Sequence, residues 1–161
     1  AYSMTGWRIG YIAADAEIAV ASGKIQSQST SNPSSPSQWA AVAALNEAEE
    51  DITPMREEFN KRREYIMNEL NNIPGISCLN PKGAFYAFPD ISGCFGKTTP
   101  KGVTLNSSLD VCNALLEDVY IATVPGAGFG ADQCLRLSYA TSLEDIQKGI
   151  SRIREWVNSL S

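Results

Sequence analysis

The sequence predicts an α/β chain, with helices laid on one face of a few short strands. Three observations lead there. Two long segments carry a single apolar stripe at helical spacing: Met55, Phe59, Arg62, Ile66 and Leu70 in one, and Leu143, Ile146, Ile150, Ile153, Val157 and Leu160 in the other. After Asn72-Ile73-Pro74-Gly75 the apolar period drops from helical to twofold. Short runs rich in β-formers then alternate with helical patterns to the end of the chain. With 161 residues, 43% of them hydrophobic, the chain is long enough to bury a core.

Taken in order, residues 7–14 (WRIGYIAA) are short and β-rich and predict a strand. Residues 15–28 place Ile18, Ala19, Ala21 and Ile25 at helical spacing. Residues 27–37 (SQSTSNPSSPS) have the composition of a linker, or of a loop lined with hydroxyls and amides. Ser35 before Pro36 predicts an N-cap with proline in the first turn, and the helix behind it runs to about residue 51. Thr53-Pro54 repeats the signal and starts a long helix over 54–72. Residues 76–79 and 84–88 predict strands joined by a turn at Asn80-Pro81-Lys82-Gly83, and 91–106 a long loop. Ser107-Ser108-Leu109-Asp110 has the form of a capping box with Asp in place of Glu. Its helix carries Leu109, Cys112, Leu115, Leu116 and Val119. Strands follow at 120–124 and 134–139 around a glycine-rich turn, and Ser142 caps the last helix with Glu144 and Asp145 in its first turn.

Composition excludes several functions. Thirteen basic against 18 acidic residues give a net charge of −5, with no basic stripe for a nucleic acid. No apolar run of ~18 residues offers a membrane span, and Ala1-Tyr2-Ser3-Met4 lacks the features of a signal peptide. There is no histidine, so no Ser-His or Cys-His nucleophile and no His-ligated metal site. Cys78, Cys94, Cys112 and Cys134 are scattered, which predicts separate thiols in a reducing compartment and no metal site.

Three features could carry chemistry. Gly126, Gly128 and Gly130 suggest a phosphate loop, but the spacing is not G-x-G-x-x-G and a strand follows, so a turn needing positive φ is the better reading. Arg136 alternates with Leu135 and Leu137, so it faces away from their side of the strand, toward solvent or an anion. Arg8, after Gly6 in a charge-poor stretch, poses the same choice. The residues alone thus point to an α/β domain with two candidate anion-binding arginines and no nucleophile.

The run Ser3-Met4-Thr5-Gly6-Trp7-Arg8-Ile9-Gly10 resembles the segment just after the catalytic lysine of class I pyridoxal-phosphate-dependent aminotransferases. Further matches occur in family order: residues 26–41 (QSQSTSNPSSPSQWAA), Lys82-Gly83-Ala84-Phe85-Tyr86, Val124-Pro125-Gly126 with Phe129-Gly130, and Leu135-Arg136-Leu137-Ser138-Tyr139-Ala140. They span nearly the whole chain, and the QSQSTSNP run is most similar to the bacterial and plant-type aspartate aminotransferase branch. The resemblance implies the C-terminal part of a fold-type I enzyme. Residues 1–52 would be the end of the large cofactor domain, and 53–161 the interdomain helix and small domain. It implies that Arg8 binds the cofactor phosphate, that Arg136 binds the substrate α-carboxylate, and that Asn32 lies near the active site of a neighbouring subunit. It also implies a cytoplasmic homodimer that passes an amino group between an amino acid, aspartate or similar, and a 2-oxo acid.

The sequence departs from the pattern at one point. The Schiff-base lysine would fall one position before Ala1, and none of Lys24, Lys61, Lys82, Lys97, Lys101 or Lys148 takes its place. The expectation is that this chain alone is inactive and does not hold pyridoxal phosphate, which belongs to the full-length enzyme. A β-eliminating lyase on the same scaffold, and a non-catalytic binding or dimerisation module, are the alternatives.

Overall fold

The computed structural model describes residues 1–161, which form two compact units, Ala1–Arg56 and Glu57–Ser161.

The first unit is helical. A 3-10 turn at Thr5–Trp7 ends on Arg8, which takes the left-handed conformation at φ 51°, ψ 45°. Helix α1 spans Ala16–Ser29, as the spacing of its aliphatic residues predicts. Helix α2 spans Ser35–Glu47, with Pro36 in its first turn; Ser34, one residue ahead of the expected Ser35, holds the N-cap position without a side-chain capping hydrogen bond. The strand expected over 7–14 is absent, since the chain's only sheet is built elsewhere. A strand exists only where a neighbouring backbone takes its N–H and C=O groups. Nothing in α1 is buried, and α2 buries only Ser37.

Helix α3, Glu49–Asn71, starts five residues ahead of the predicted Pro54. Glu49, Glu50 and Asp51 in its first turn complement the helix dipole. Pro54 lies inside the helix, where it cannot donate to the Glu50 carbonyl and its ring crowds that carbonyl. The helix begins in the first unit and ends in the second.

The second unit holds the core. Three short strands, β1 (Tyr86–Ala87), β2 (Val124–Pro125) and β3 (Leu135–Ser138), make an antiparallel sheet with β3 in the middle. Tyr86 pairs with Ser138 and Ala87 with Leu137; Val124 pairs with Arg136 and Pro125 with Leu135. The strands expected at 76–79 and 120–124 shrink to a Ser77–Asp90 bridge and to Val124, because Tyr120 closes the preceding helix in a left-handed conformation. Helices α4 (Ser108–Val119) and α5 (Leu143–Asn158) pack together, and α5 buries Ile146, Ile150, Ile153, Trp156 and Val157. These join Ile66, Leu70, Leu105, Val111, Leu115, Leu135, Leu137 and Tyr139 in one cluster. At ~1.5–3 kcal/mol for each large side chain fully buried, this cluster is what holds the unit together.

The caps predicted at Ser107 and Ser142 form, whereas those expected at Ser35 and Thr53 do not. The Ser107 hydroxyl accepts the Asp110 N–H, and the Ser142 hydroxyl accepts the Asp145 N–H. The buried face of α4 differs from the expected stripe. Val111, Cys112, Ala114 and Leu115 face the core, while Leu109 and Leu116 are exposed. The four cysteines are free, Cys78 half-buried and the others buried. Desolvation pushes all four thiols above their ordinary value. No helix is long and apolar enough to cross a membrane.

Candidate functional site

Arg136 sits mid-strand in β3, flanked by Leu135 and Leu137, both buried. Twofold alternation puts its side chain on the opposite face, where it is half-buried. Tyr86 shares that face. It opposes Ser138, two residues from Arg136, so the two are diagonal neighbours across the ladder. The Arg136 Cζ lies 4.5 Å from the Tyr86 ring centroid and 5.0 Å from that of Phe129. A cation between two rings is held by their quadrupoles. None of the chain's salt bridges involves Arg136, and its guanidinium donates to no acceptor. Five N–H donors in a planar fork are therefore left for an outside anion.

Phe129 belongs to the glycine-rich turn. Residues Gly126–Phe129 form a 3-10 turn, closed by Gly130 at φ 74°. The expectation of a turn with positive φ holds at Gly130 alone. Gly126 is required for a different reason: a Cβ there would collide with the carbonyl oxygens of Ala131 and Cys134.

Arg8 lies in the first unit and is exposed. Its Nη1 donates to the Thr5 carbonyl at 2.8 Å, and its other donors have no partner in the chain. The buried Ser37 hydroxyl donates to the carbonyl of Trp7 at 2.9 Å, which ties the peptide before Arg8 to α2. Asn32 is exposed in the turn between α1 and α2, after Ser31 at φ 63°. Its backbone N–H donates to the Thr30 carbonyl at 2.8 Å, and its side-chain amide has no partner.

Tyr86 and Phe129 were not assigned to a site by sequence reasoning. Both lie in the quoted matches, yet touching Arg136 depends on how β1, β2 and β3 pair, and no local pattern encodes that order. No group of His, Cys, Asp or Glu side chains could hold a metal ion.

Comparisons with known proteins identify the family. The family described as aminotransferase class I and II matches residues 1–153. The aspartate/prephenate aminotransferase of Cereibacter sphaeroides is 47% identical over all 161 residues, which cover 40% of that protein. The crystal structure of the aspartate aminotransferase from Rhizobium meliloti superposes with a TM-score of 0.90 at 44% identity, covering 99% of this chain and 40% of that one. That of Thermotoga maritima superposes with a TM-score of 0.82 at 34% identity, covering 98% and 37%. The chain thus spans about 40% of the length of the relatives it matches. A match along nearly the whole sequence, in order and in three dimensions, places the fold among the fold-type I enzymes, and the chain belongs to the class I and II aminotransferase family.

Proposed function

We propose that this chain is the C-terminal part of an aspartate aminotransferase-like enzyme that passes an amino group between an amino acid and a 2-oxo acid. The observation that carries this reading is Arg136, a guanidinium braced by two rings with every donor unspent. Such a fork suits a planar carboxylate, which it engages with two parallel charge-assisted hydrogen bonds. Every amino acid and every 2-oxo acid has that carboxylate. Fixing it orients the bonds at the neighbouring carbon, so Arg136 contributes positioning as well as binding.

Arg8 is the residue for the cofactor phosphate. Its position in the matched motif and its free donors support this, and a guanidinium fork fits phosphate oxygens as well as it fits a carboxylate. Pyridoxal phosphate, when bound, supplies the electron sink for the reaction. Asn32 has an unspent amide on an exposed turn, and we assign it to the active site of a neighbouring subunit in a homodimer. The covalent lysine is assigned to a residue outside this sequence. On this reading residues 1–52 are the end of the large cofactor domain, and 53–161 are the interdomain helix and the small domain.

Arg8→Ala in the full-length enzyme tests the cofactor half. Losing the phosphate partner removes at least one charge-assisted bond of ~1.5–3 kcal/mol, so pyridoxal phosphate should bind tenfold or more weakly. Pyridoxal, which lacks the phosphate, should bind the variant and the parent alike. Equal loss for both compounds would refute the assignment.

A further inference from the structure

The residues around Arg136 hold more than the carboxylate reading uses. Ser108, at the start of α4, is polar yet fully buried. Its hydroxyl donates to Asp132 Oδ1 at 2.6 Å, and its backbone N–H donates to the same oxygen at 3.0 Å. The hydroxyl also accepts the Ala127 N–H at 3.2 Å. Ser108 therefore ties the helix start to Ala127 within the turn at 126–130 and to Asp132 just beyond it. Within the turn, the Gly126 N–H donates to the Cys134 carbonyl and the Ala131 N–H to the Gly126 carbonyl. Gly126 has no room for a Cβ, so the turn has one way to sit. It delivers Phe129 to Arg136 and, edge to face at 5.8 Å, to Phe88.

Phe129 is 52% exposed, so burial does not account for its place. Its neighbours do. We propose that Phe129 is a positioning residue for Arg136, set over the guanidinium by a Ser108–Asp132 latch on its turn. A guanidinium carries its donors at the rim of its plane, and rings above its central carbon restrain it while leaving the rim free. Tyr86 gives one restraint from a strand, and Phe129 gives the second from the turn that joins β2 to β3. An arginine braced before the anion arrives loses less side-chain freedom on binding.

This inference rests on Arg136 being the carboxylate anchor, so the experiment tests the two together in the full-length enzyme. Maleate, a small dicarboxylate, is titrated against the parent, Arg136→Ala, Phe129→Leu, Phe129→Tyr and Asp132→Asn, and kcat and KM for aspartate are measured alongside. Phe129→Leu keeps an apolar side chain but no ring. It should raise the maleate Kd and the aspartate KM by about three- to tenfold with kcat at saturation unchanged. Phe129→Tyr, which keeps the ring, should stay within about twofold of the parent, and Asp132→Asn should shift in the direction of Phe129→Leu. A merely structural role would lower the active fraction, and with it kcat, and leave Kd alone. Parent-like maleate binding by Phe129→Leu, or equal weakening by Leu and Tyr, overturns the proposal while the Arg136 reading stands. Parent-like binding by Arg136→Ala overturns both.

Discussion

Replacing Arg136 with alanine removes a fork whose worth follows from its surroundings. Two charge-assisted bonds to a carboxylate are worth ~1.5–3 kcal/mol each, which sets an upper range of about 3–6 kcal/mol. Arg136 is half-buried, and truncation would admit water that rehydrates the carboxylate. The lower end therefore applies, about 3 kcal/mol, or roughly a hundredfold or more in kcat/KM. The loss should be alike for every amino acid, because all carry the same carboxylate, and affinity for pyridoxal phosphate should hardly change. Arg136→Lys should recover only part, since an ammonium keeps the charge but cannot form the planar fork. Stability should fall by no more than about 1–2 kcal/mol, the worth of the ring contacts, because the backbone pairing with Val124 survives. Steady-state kinetics of both variants with aspartate and one apolar amino acid decide the matter. Parent-like efficiency in Arg136→Ala, or a loss confined to one substrate, refutes the reasoning.

Gly126→Ala should cost about 3 kcal/mol or more, because the added methyl meets two backbone carbonyls that cannot swing away; a melting curve checks it, and a shift below a degree would contradict the close approach. The Asp110 carboxylate is held below its ordinary value by the Asn106 N–H, that of Asp118 by the Lys101 ammonium, and that of Asp145 by the Ser142 hydroxyl. A depressed folded value means these groups stabilise the fold above the ordinary aspartate value of 3.8 and lose that contribution as pH falls through their folded values. The midpoint of urea unfolding should thus stay level from neutral pH to about 5 and drop below about 4, with a shallower drop in Asp118→Asn. The chain by itself should self-associate, since Tyr11, Trp39 and Ile25 are each at least 71% exposed on the first unit; a strictly monomeric species across micromolar concentrations in ultracentrifugation would count against this.

What the sequence disclosed tracks how local each cause is. The last helix was largely legible, since its Ser142 cap, its acidic first turn and the stripe Ile146, Ile150, Ile153 and Val157 act within a few residues of one another, though buried Trp156 escaped the stripe and Leu160 lies past the helix end. Helix α1 was legible from four aliphatic residues. The face of α4 was misjudged, since Leu109 and Leu116 look as apolar as Val111 and Leu115, and only the position of α5 and the sheet selects between them. The start of α3 was misjudged because Thr53-Pro54 is a strong local start signal, while three acidic residues upstream form a stronger one together.

The same division runs through the candidate site. The face taken by Arg136 was legible because alternation with two leucines sets it. Tyr86 and Phe129 come from a strand and a turn separated in sequence by α4, and reach Arg136 only once β3 lies between β1 and β2. The strand expected at 7–14 failed for the converse reason. Its β-rich residues state a preference that only a neighbouring strand can satisfy, and the sheet of this chain is made of β1, β2 and β3 alone. Tyr11 and Ile12 accordingly lie exposed in irregular backbone. A segment with strong strand propensity, large apolar side chains and no partner strand has its local and tertiary signals in conflict. Arg8 lies in that segment, so the surface that satisfies these residues would also set the backbone that carries Arg8.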